Sequence, residues 1–234
     1  MNVKDLISNK KVVFYGDSIT HNWEKYDHDL NLTRGNDYNY GLGYGHVKML
    51  NDVCNFKSVE NFAVSGGCFA NTYYLNKCRP VWRHGPHQVA CSIDALKEAE
   101  VVFVMFGTND YSEQVSFGHY KDIAKSFEQD DMTFHEGMNY TFSKIKETNP
   151  NALVFVVNIL FRTVDVEAHA TFNFSVDEYN LAINHVCKEY GFNLIDVSKL
   201  FNKENFKQYS DDGLHPNENG YRALTNYILQ YKVK

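Results

Sequence analysis

The sequence has little of what marks several large classes of protein. It holds only 4 Pro among 234 residues and no repeat or low-complexity tract, which excludes fibrous chains, and its charged fraction of 22% beside 44% hydrophobic residues excludes a largely disordered one. Its longest apolar runs, such as residues 101–106, are far shorter than the roughly 20 residues that cross a bilayer. No apolar stretch of signal-peptide length opens the chain, so we expect a cytoplasmic protein with no membrane span.

Positive charge is also scarce. Lys and Arg number 23 against 29 Asp and Glu, which gives a formal net charge of -6 at pH 7. Such a chain lacks the broad positive field that binds a phosphate backbone, so we expect no nucleic-acid partner. The 5 Cys are an odd number without a CxxC pair, which favours reduced thiols over a disulfide framework.

Short apolar runs alternate with longer amphipathic stretches along the chain. With 44% hydrophobic residues and no linker-like segment, we expect one domain over residues 1–234. Strands that are apolar throughout and separated by helices predict an α/β fold: a three-layer α/β/α sandwich around a flavodoxin-like parallel sheet of about five strands. The predicted strands are 11–15, 58–63, 101–106, 152–159 and 192–196. The predicted helices are 45–53, 92–99, 120–148, 176–190 and 217–231.

Ligands of such a sheet bind outside the carboxyl ends of its strands, so the residues that follow each strand are the candidates for chemistry. The motif GDSIT (16–20) follows the first strand and places a serine at a strand-to-helix turn. Near the C-terminus, DGLH (212–215) places a carboxylate three residues before a histidine, a spacing that lets the carboxylate orient the ring. Taken alone, the first motif more often caps a helix and the second more often forms a turn with a solvated histidine.

Two further motifs follow the second and third strands. SGG (65–67) offers a glycine amide and GTND (107–110) offers an asparagine carboxamide, and both are donor types that hold a developing oxyanion. Each also fits a tight turn with a cap. Together, the four segments supply a candidate nucleophile, two oxyanion donors, and a base with the carboxylate that orients it.

This combination and its order resemble the SGNH hydrolases, the GDSL family of esterases and lipases, whose four named residues are Ser, Gly, Asn and His. The resemblance covers nearly the whole chain, and GDSIT stands where the family has GDSL. It implies that Ser18 is the nucleophile, that His215 is the general base and that Asp212 orients the histidine. It also implies an oxyanion hole made by Ser18, Gly66 and Asn109, and a mechanism that needs no metal or cofactor.

Two choices within these motifs remain open. The doubled glycine allows Gly67 in place of Gly66, although the Ser-Gly step at 65–66 matches the family's second block better. Asp211 is a weaker rival to Asp212, because only Asp212 has the three-residue spacing to the histidine.

A substrate-binding surface is expected around these motifs. Asp17 and Thr108, which precede the serine and the asparagine, are assigned to it together with Trp82 and Arg83. The last two lie in a stretch, residues 61–93, that contains no Asp or Glu but several basic and aromatic residues. This stretch could meet an anionic or glycan part of the substrate, or be a solvated surface insertion. Its cysteines and histidines fit no zinc spacing: Cys68, Cys78, His84, His87 and Cys91.

The resemblance implies a serine esterase that acts through an acyl-enzyme on an ester of a small molecule or a glycan. The sequence offers no long apolar lid, which favours acetyl or another short acyl group over a long chain. A lysophospholipase or acyl thioesterase would use the same catalytic residues. In a third reading, the chain is a non-catalytic glycan- or nucleotide-binding module in which GDSIT holds a phosphate on backbone amides.

Overall fold

A computed structural model describes residues 1–21, 45–70, 83–163 and 174–233, and the backbone of 73–74 and 77–78. Its strands are β1 (Lys11–Gly16), β2 (Ser58–Asn61), β3 (Tyr73–Tyr74), β4 (Lys77–Cys78), β5 (Val101–Met105), β6 (Leu153–Val157) and β7 (Asn193–Ile195). Five of them form a central parallel sheet in the order β2-β1-β5-β6-β7, and β3 and β4 form a separate antiparallel pair.

Helices cover both faces of this sheet, as an α/β chain with apolar strands requires. None of the helices in the described ranges is long and apolar enough to cross a membrane. The helices are α1 (Val3–Ile7), α2 (Ser18–His21), α3 (His46–Cys54), α4 (Gly85–Ala90), α5 (Ile93–Glu98), α6 (Thr108–Ser112), α7 (Phe134–Thr148), α8 (Val176–Glu189) and α9 (Glu218–Gln230).

The two-residue period of the strands divides the core into two layers. In β1, Val13 and Tyr15 pack with α4, α5, α7 and α8 on one face, whereas Val12 and Phe14 pack with α1, α3 and α9 on the other. Both layers are apolar, so the central strands β5 and β6 are unbroken apolar runs in the sequence, whereas the edge strand β2 has the sequence SVEN. The predicted three-layer α/β/α sandwich with a flavodoxin-like strand order is confirmed.

Nine of the ten predicted elements are present, with ends that differ by at most two residues. The prediction of one helix over 120–148 was wrong, because α7 begins only at Phe134. Thr133 and Glu136 form a capping box there: the Glu136 amide donates to Thr133 Oγ1 at 3.4 Å, and the Thr133 amide donates to Glu136 Oε2 at 2.8 Å. Just before this cap, Asp131 has a φ of 52°, which no helix accommodates.

Four short α-helices in the described ranges were not predicted, namely α1, α2, α4 and α6, and neither was a 3-10 turn at Phe206–Gln208. Two of them, α2 and α6, begin within the motifs that follow β1 and β5, and α4 lies in the segment between the motifs SGG and GTND. Cys54, Cys68, Cys91 and Cys187 are free thiols, as the sequence predicts.

Candidate active site

The candidate nucleophile Ser18 is the first residue of α2, directly beyond the end of β1. Asp17 caps this helix: its Oδ1 accepts from the Ile19 amide at 2.9 Å, and its carbonyl accepts from the His21 amide at 2.9 Å. A β-carbon on Gly16 would lie 2.8 Å from the Met105 carbonyl oxygen, so the chain can pass this point only with a glycine. The turn into α2 is therefore pressed tightly against β5.

Ser18, His215 and Asp212 form a continuous hydrogen-bonded chain. Ser18 Oγ lies 2.8 Å from His215 Nε2, and His215 Nδ1 lies 2.6 Å from Asp212 Oδ2. With the ring proton on Nδ1 facing the carboxylate, Nε2 is free to accept the serine proton. The serine belongs to α2 and the other two residues to the loop before α9, so the fold joins segments almost two hundred residues apart in sequence.

The second oxygen of Asp212 fixes the loop around the histidine. Asp212 Oδ1 accepts from the amides of Leu214 at 2.8 Å and His215 at 2.7 Å, and from Ser210 Oγ at 3.2 Å. Partial burial raises the pKa of Asp212, but the His215 ring and these amides outweigh it and hold the pKa well below its usual range. Asp211 instead accepts from Asn217 Nδ2 at 3.2 Å, so its carboxylate is engaged away from the histidine.

The loop after β2 carries both candidate oxyanion glycines. The Gly67 amide donates to the Val64 carbonyl at 2.9 Å and closes a β-turn whose third residue, Gly66, has a φ of 75°. The Gly67 amide is therefore engaged within this turn. Asn109 Nδ2 donates to the Gly67 carbonyl at 2.8 Å, which brings the asparagine to the same loop.

Asp110 fastens α6 to this loop. Its two carboxylate oxygens accept from the backbone amides of Phe69 and Ala70, both at 2.9 Å. The side chain is fully buried, and burial raises its pKa to about 7 against the opposing effect of those two amides. Asn109, its neighbour in sequence, is thereby held beside Gly66 and Gly67.

The residues assigned to substrate binding differ in how deeply they are buried. Thr108 is buried and its Oγ1 accepts a hydrogen bond from Arg162 at 2.7 Å, and Asp17 is buried within its own helix cap. Burial raises the pKa of Asp17 to about 7, although the Ile19 amide and the charges of His215 and Arg162 lower it. Arg83 is half-buried beside α4, and Trp82 lies outside the described residues.

Sequence reasoning missed Gln88, which clamps the end of β1. Its Oε1 accepts from the Gly16 amide at 3.2 Å, and its Nε2 donates to the carbonyls of Gly16 and Arg83, both at 3.0 Å. No local pattern marks a glutamine that pairs with a backbone 72 residues away. Asp110, by contrast, stands within the GTND motif, although nothing in its spacing indicates its contact with residues 69–70.

The basic and aromatic stretch after Gly67 is described only at its two ends. Among the residues that the structure covers, no three His, Cys, Asp or Glu side chains are grouped so as to hold a metal ion. Cys91 Sγ lies 3.4 Å from His87 Nε2. The side chain of Cys78 lies outside the described residues.

Comparison with known proteins identifies the family of this chain. The model of the GDSL-like Lipase/Acylhydrolase family matches residues 14–223. The chain belongs to this family. It is therefore an ester-hydrolysing enzyme of the esterase or lipase type. A search of the curated proteins finds no significant match.

Several solved structures of the same fold are similar to this GDSL-like enzyme. A protein from Lactobacillus plantarum superposes with a TM-score of 0.72 at 18% identity over 95% of each chain. A protein from Bacteroides ovatus described as a GDSL-like lipase gives a TM-score of 0.59 at 16% identity over 93% of this chain and 95% of that one. An acetyl xylan esterase from Geobacillus stearothermophilus gives 0.56 at 18% identity, over 97% and 98%.

Proposed function

We propose that this enzyme is a serine esterase that removes acetyl or other short acyl groups from the oxygen of a small molecule or a carbohydrate. The observation that carries the proposal is the hydrogen-bonded chain from Ser18 Oγ through His215 to Asp212, with steps of 2.8 Å and 2.6 Å. A hydroxyl, an imidazole and a carboxylate in this order are the parts that activate a serine for attack on a carbonyl.

Acylation starts when the Ser18 oxygen attacks the ester carbonyl and its proton passes to His215 Nε2. Asp212 keeps the ring proton on Nδ1 and stabilises the imidazolium that forms. The tetrahedral oxyanion accepts hydrogen bonds from the amides of Ser18 and Gly66 and from the carboxamide of Asn109. When the intermediate collapses, the carbon–oxygen bond to the alcohol breaks, and His215 gives its proton to the departing alkoxide oxygen.

Deacylation repeats these steps with water. His215 takes a proton from water as the water oxygen attacks the acyl-serine, and the same donors hold the second oxyanion. Collapse releases the carboxylic acid and returns the proton to Ser18. The single N–H···O bond from Asn109 to the Gly67 carbonyl leaves the second N–H of the carboxamide for the oxyanion.

Two observations support a short acyl group. The large hydrophobic side chains that are exposed in the described ranges are few, and none lies in the strand-end loops around Ser18: Met1, Val53, Tyr120, Ile123 and Leu181. A long acyl chain binds to contiguous apolar surface, and none of these five residues supplies such a surface beside Ser18. One of the structures with a similar fold is described as an acetyl xylan esterase, a name that implies an acetylated glycan as its substrate. This similarity favours the same class of ester for the present enzyme.

Hydrolysis of p-nitrophenyl esters from acetyl to long acyl chains tests this proposal. We expect the highest kcat/KM on acetyl and a decline with chain length, and we expect Ser18→Ala to lower kcat on the acetyl ester by about 10⁴ to 10⁶-fold. Ser143→Ala is the matched control, because Ser143 lies within α7, where its Oγ donates to the Tyr140 carbonyl at 3.0 Å. Acetylated sugars are the next substrates.

Three results would contradict the proposal in different ways. A rate that rises with acyl length would indicate a lysophospholipase or thioesterase with the same residues. Retention of more than about a tenth of the activity by folded Ser18→Ala would remove Ser18 as the nucleophile. Ester turnover that is absent in the wild type, with ligand binding unaffected by Ser18→Ala, would favour a binding module.

A further inference from the structure

A buried arginine forms hydrogen bonds to both ends of α6, the helix that carries Asn109. Arg162 Nη1 donates to the carbonyl and to the hydroxyl of Thr108, at 2.5 and 2.7 Å, and its Nη2 donates to Ser112 Oγ at 2.7 Å. Its guanidinium also lies over the Tyr111 ring, with Cζ 5.3 Å from the ring centroid. Thr108 is the first residue of α6 and Ser112 is the last, so one side chain spans the whole helix.

This helix needs such support because it is only five residues long. Isolated helices shorter than about 12 residues are marginal in water, so packing and side-chain contacts must hold α6 in place. Asp110 fastens one side of it to the backbone of residues 69–70. Arg162, which is 5% exposed, supplies the contacts on the side of β6.

The residue after Arg162 contacts the loop that carries the histidine. The Thr163 amide donates to the Gly213 carbonyl at 2.8 Å, and Gly213 lies between Asp212 and His215 with a φ of 80°. A two-residue segment beyond β6 therefore contacts both the helix with the oxyanion asparagine and the loop with the general base.

The chemistry of arginine suits this position. Its planar fork fixes two donors at once, whereas a lysine presents a single point charge on a flexible stem. Burying a charged side chain costs free energy, and burying an apolar one does not. If the contact served stability alone, a Met or Leu at this position would stabilise the fold at least as well. The charge of Arg162 also lowers the pKa of the Asp17 carboxyl, although burial outweighs this effect.

We propose that Arg162 is a positioning residue for ester hydrolysis: it holds α6 so that the Asn109 carboxamide reaches the oxyanion, while Thr163 fixes the histidine loop at the same place. This inference rests on the proposed function, since it assigns Asn109 to the oxyanion hole. Displacing a donor by about 1 Å costs on the order of 100-fold in rate, which sets the scale of the effect.

A double-mutant cycle tests this role. Arg162→Met and Arg162→Lys are measured on p-nitrophenyl acetate in the wild type and in Asn109→Ala. In the wild type, we expect Arg162→Met to lower kcat roughly 30- to 100-fold with less than about a 3-fold change in KM, and Arg162→Lys to lie in between. In the Asn109→Ala background the loss should shrink to about 3-fold or less, because the donor that Arg162 positions is gone.

Controls separate this role from stability and from the proposed function. Arg222→Met removes an exposed arginine that pairs with Glu218 and should leave kcat unchanged. Losses that multiply in the double mutant, or Met and Lys variants that both fail to fold by circular dichroism, would overturn the proposal and leave Arg162 with a structural role. Activity retained by Ser18→Ala would instead defeat the proposed function itself.

Discussion

At the scale of single residues, the polar side chains of the site use separate atoms for separate hydrogen-bond partners. Asp212 directs one oxygen to the His215 ring and the other to the backbone of its own loop. Asn109 gives one N–H to the Gly67 carbonyl, and we propose that its other N–H donates to the oxyanion. Each side chain is thus oriented by the protein before a substrate arrives, which is the condition for electrostatic catalysis without reorganisation.

The donor assigned to Asn109 leads to a first prediction. We expect Asn109→Ala to lower kcat on p-nitrophenyl acetate by roughly 10² to 10³-fold with little change in KM, because an oxyanion donor acts in the transition state. Steady-state kinetics on the purified variant measure both quantities. Asn193→Ala is the control, since Asn193 also donates to a backbone carbonyl, that of Val154, but lies at the start of β7.

A loss confined to KM would contradict this role for Asn109. It would indicate a contact with the bound ester that is equally strong in the ground state and the transition state. A loss of equal size in Asn193→Ala would show that the effect comes from general destabilisation.

At the scale of elements, the carboxyl ends of β1, β2 and β5 and the loop before α9 bring the four motifs together. The sequence predicts this meeting because parallel strands end at one edge of a sheet, and residues such as Ser18 and Asn109 stand just beyond predicted strands. The start of α7 at Phe134 could also have been read from Thr133 and Glu136, which have capping-box spacing. The prediction of one helix over 120–148 did not take this capping-box spacing into account.

Other features of the site have no signal in the sequence. A five-residue helix such as α6 is too short to show a hydrophobic period, so its existence depends on tertiary contacts. Gln88 and Arg162 act on partners 72 and 54 residues away, and a local pattern carries no information on such pairs. The motifs thus indicate which residues react, whereas the residues that hold them in place emerge from the fold.

The turn from β5 into α6 gives a prediction at this scale. Gly107 has a φ of 114°, and a β-carbon there would lie 3.0 Å from the Ile159 side chain. We expect Gly107→Ala to lower the free energy of unfolding by about 2–4 kcal/mol through backbone strain plus overpacking. It should also lower kcat, because α6 must shift. Urea denaturation and ester kinetics measure the two effects.

Gly191 offers a matched control for that turn. It too has a positive φ, of 69°, but a β-carbon there would meet nothing within 4 Å. Gly191→Ala should therefore cost only about 1 kcal/mol of backbone strain and leave kcat unchanged. Equal losses in the two variants would show that packing of the β5–α6 turn against Ile159 is unimportant.

At the scale of the whole molecule, buried ionisable groups near the site couple stability to pH with opposite signs. Burial raises the pKa of Asp17 and of Asp110 to about 7. The stability contributed by each protonated carboxyl is complete below its usual pKa near 4 and is lost as the pH rises through about 7. Burial lowers the pKa of His46 to about 4, so its contribution is complete above about 6.5 and is lost as the pH falls through 4.

These opposing contributions are separated by comparing the wild type with Asp110→Asn across the same pH range. Between about pH 5 and pH 8 the wild type should lose roughly 2–3 kcal/mol more of its free energy of unfolding than the variant, because the variant cannot ionise at that position. His46 and Asp17 titrate in both proteins and cancel in the difference. Asp94→Asn, at a carboxyl that is 99% exposed, should follow the wild type. Parallel pH profiles for the wild type and Asp110→Asn in urea denaturation would mean that the Phe69 and Ala70 amides hold Asp110 ionised across this range, and that burial does not govern its titration.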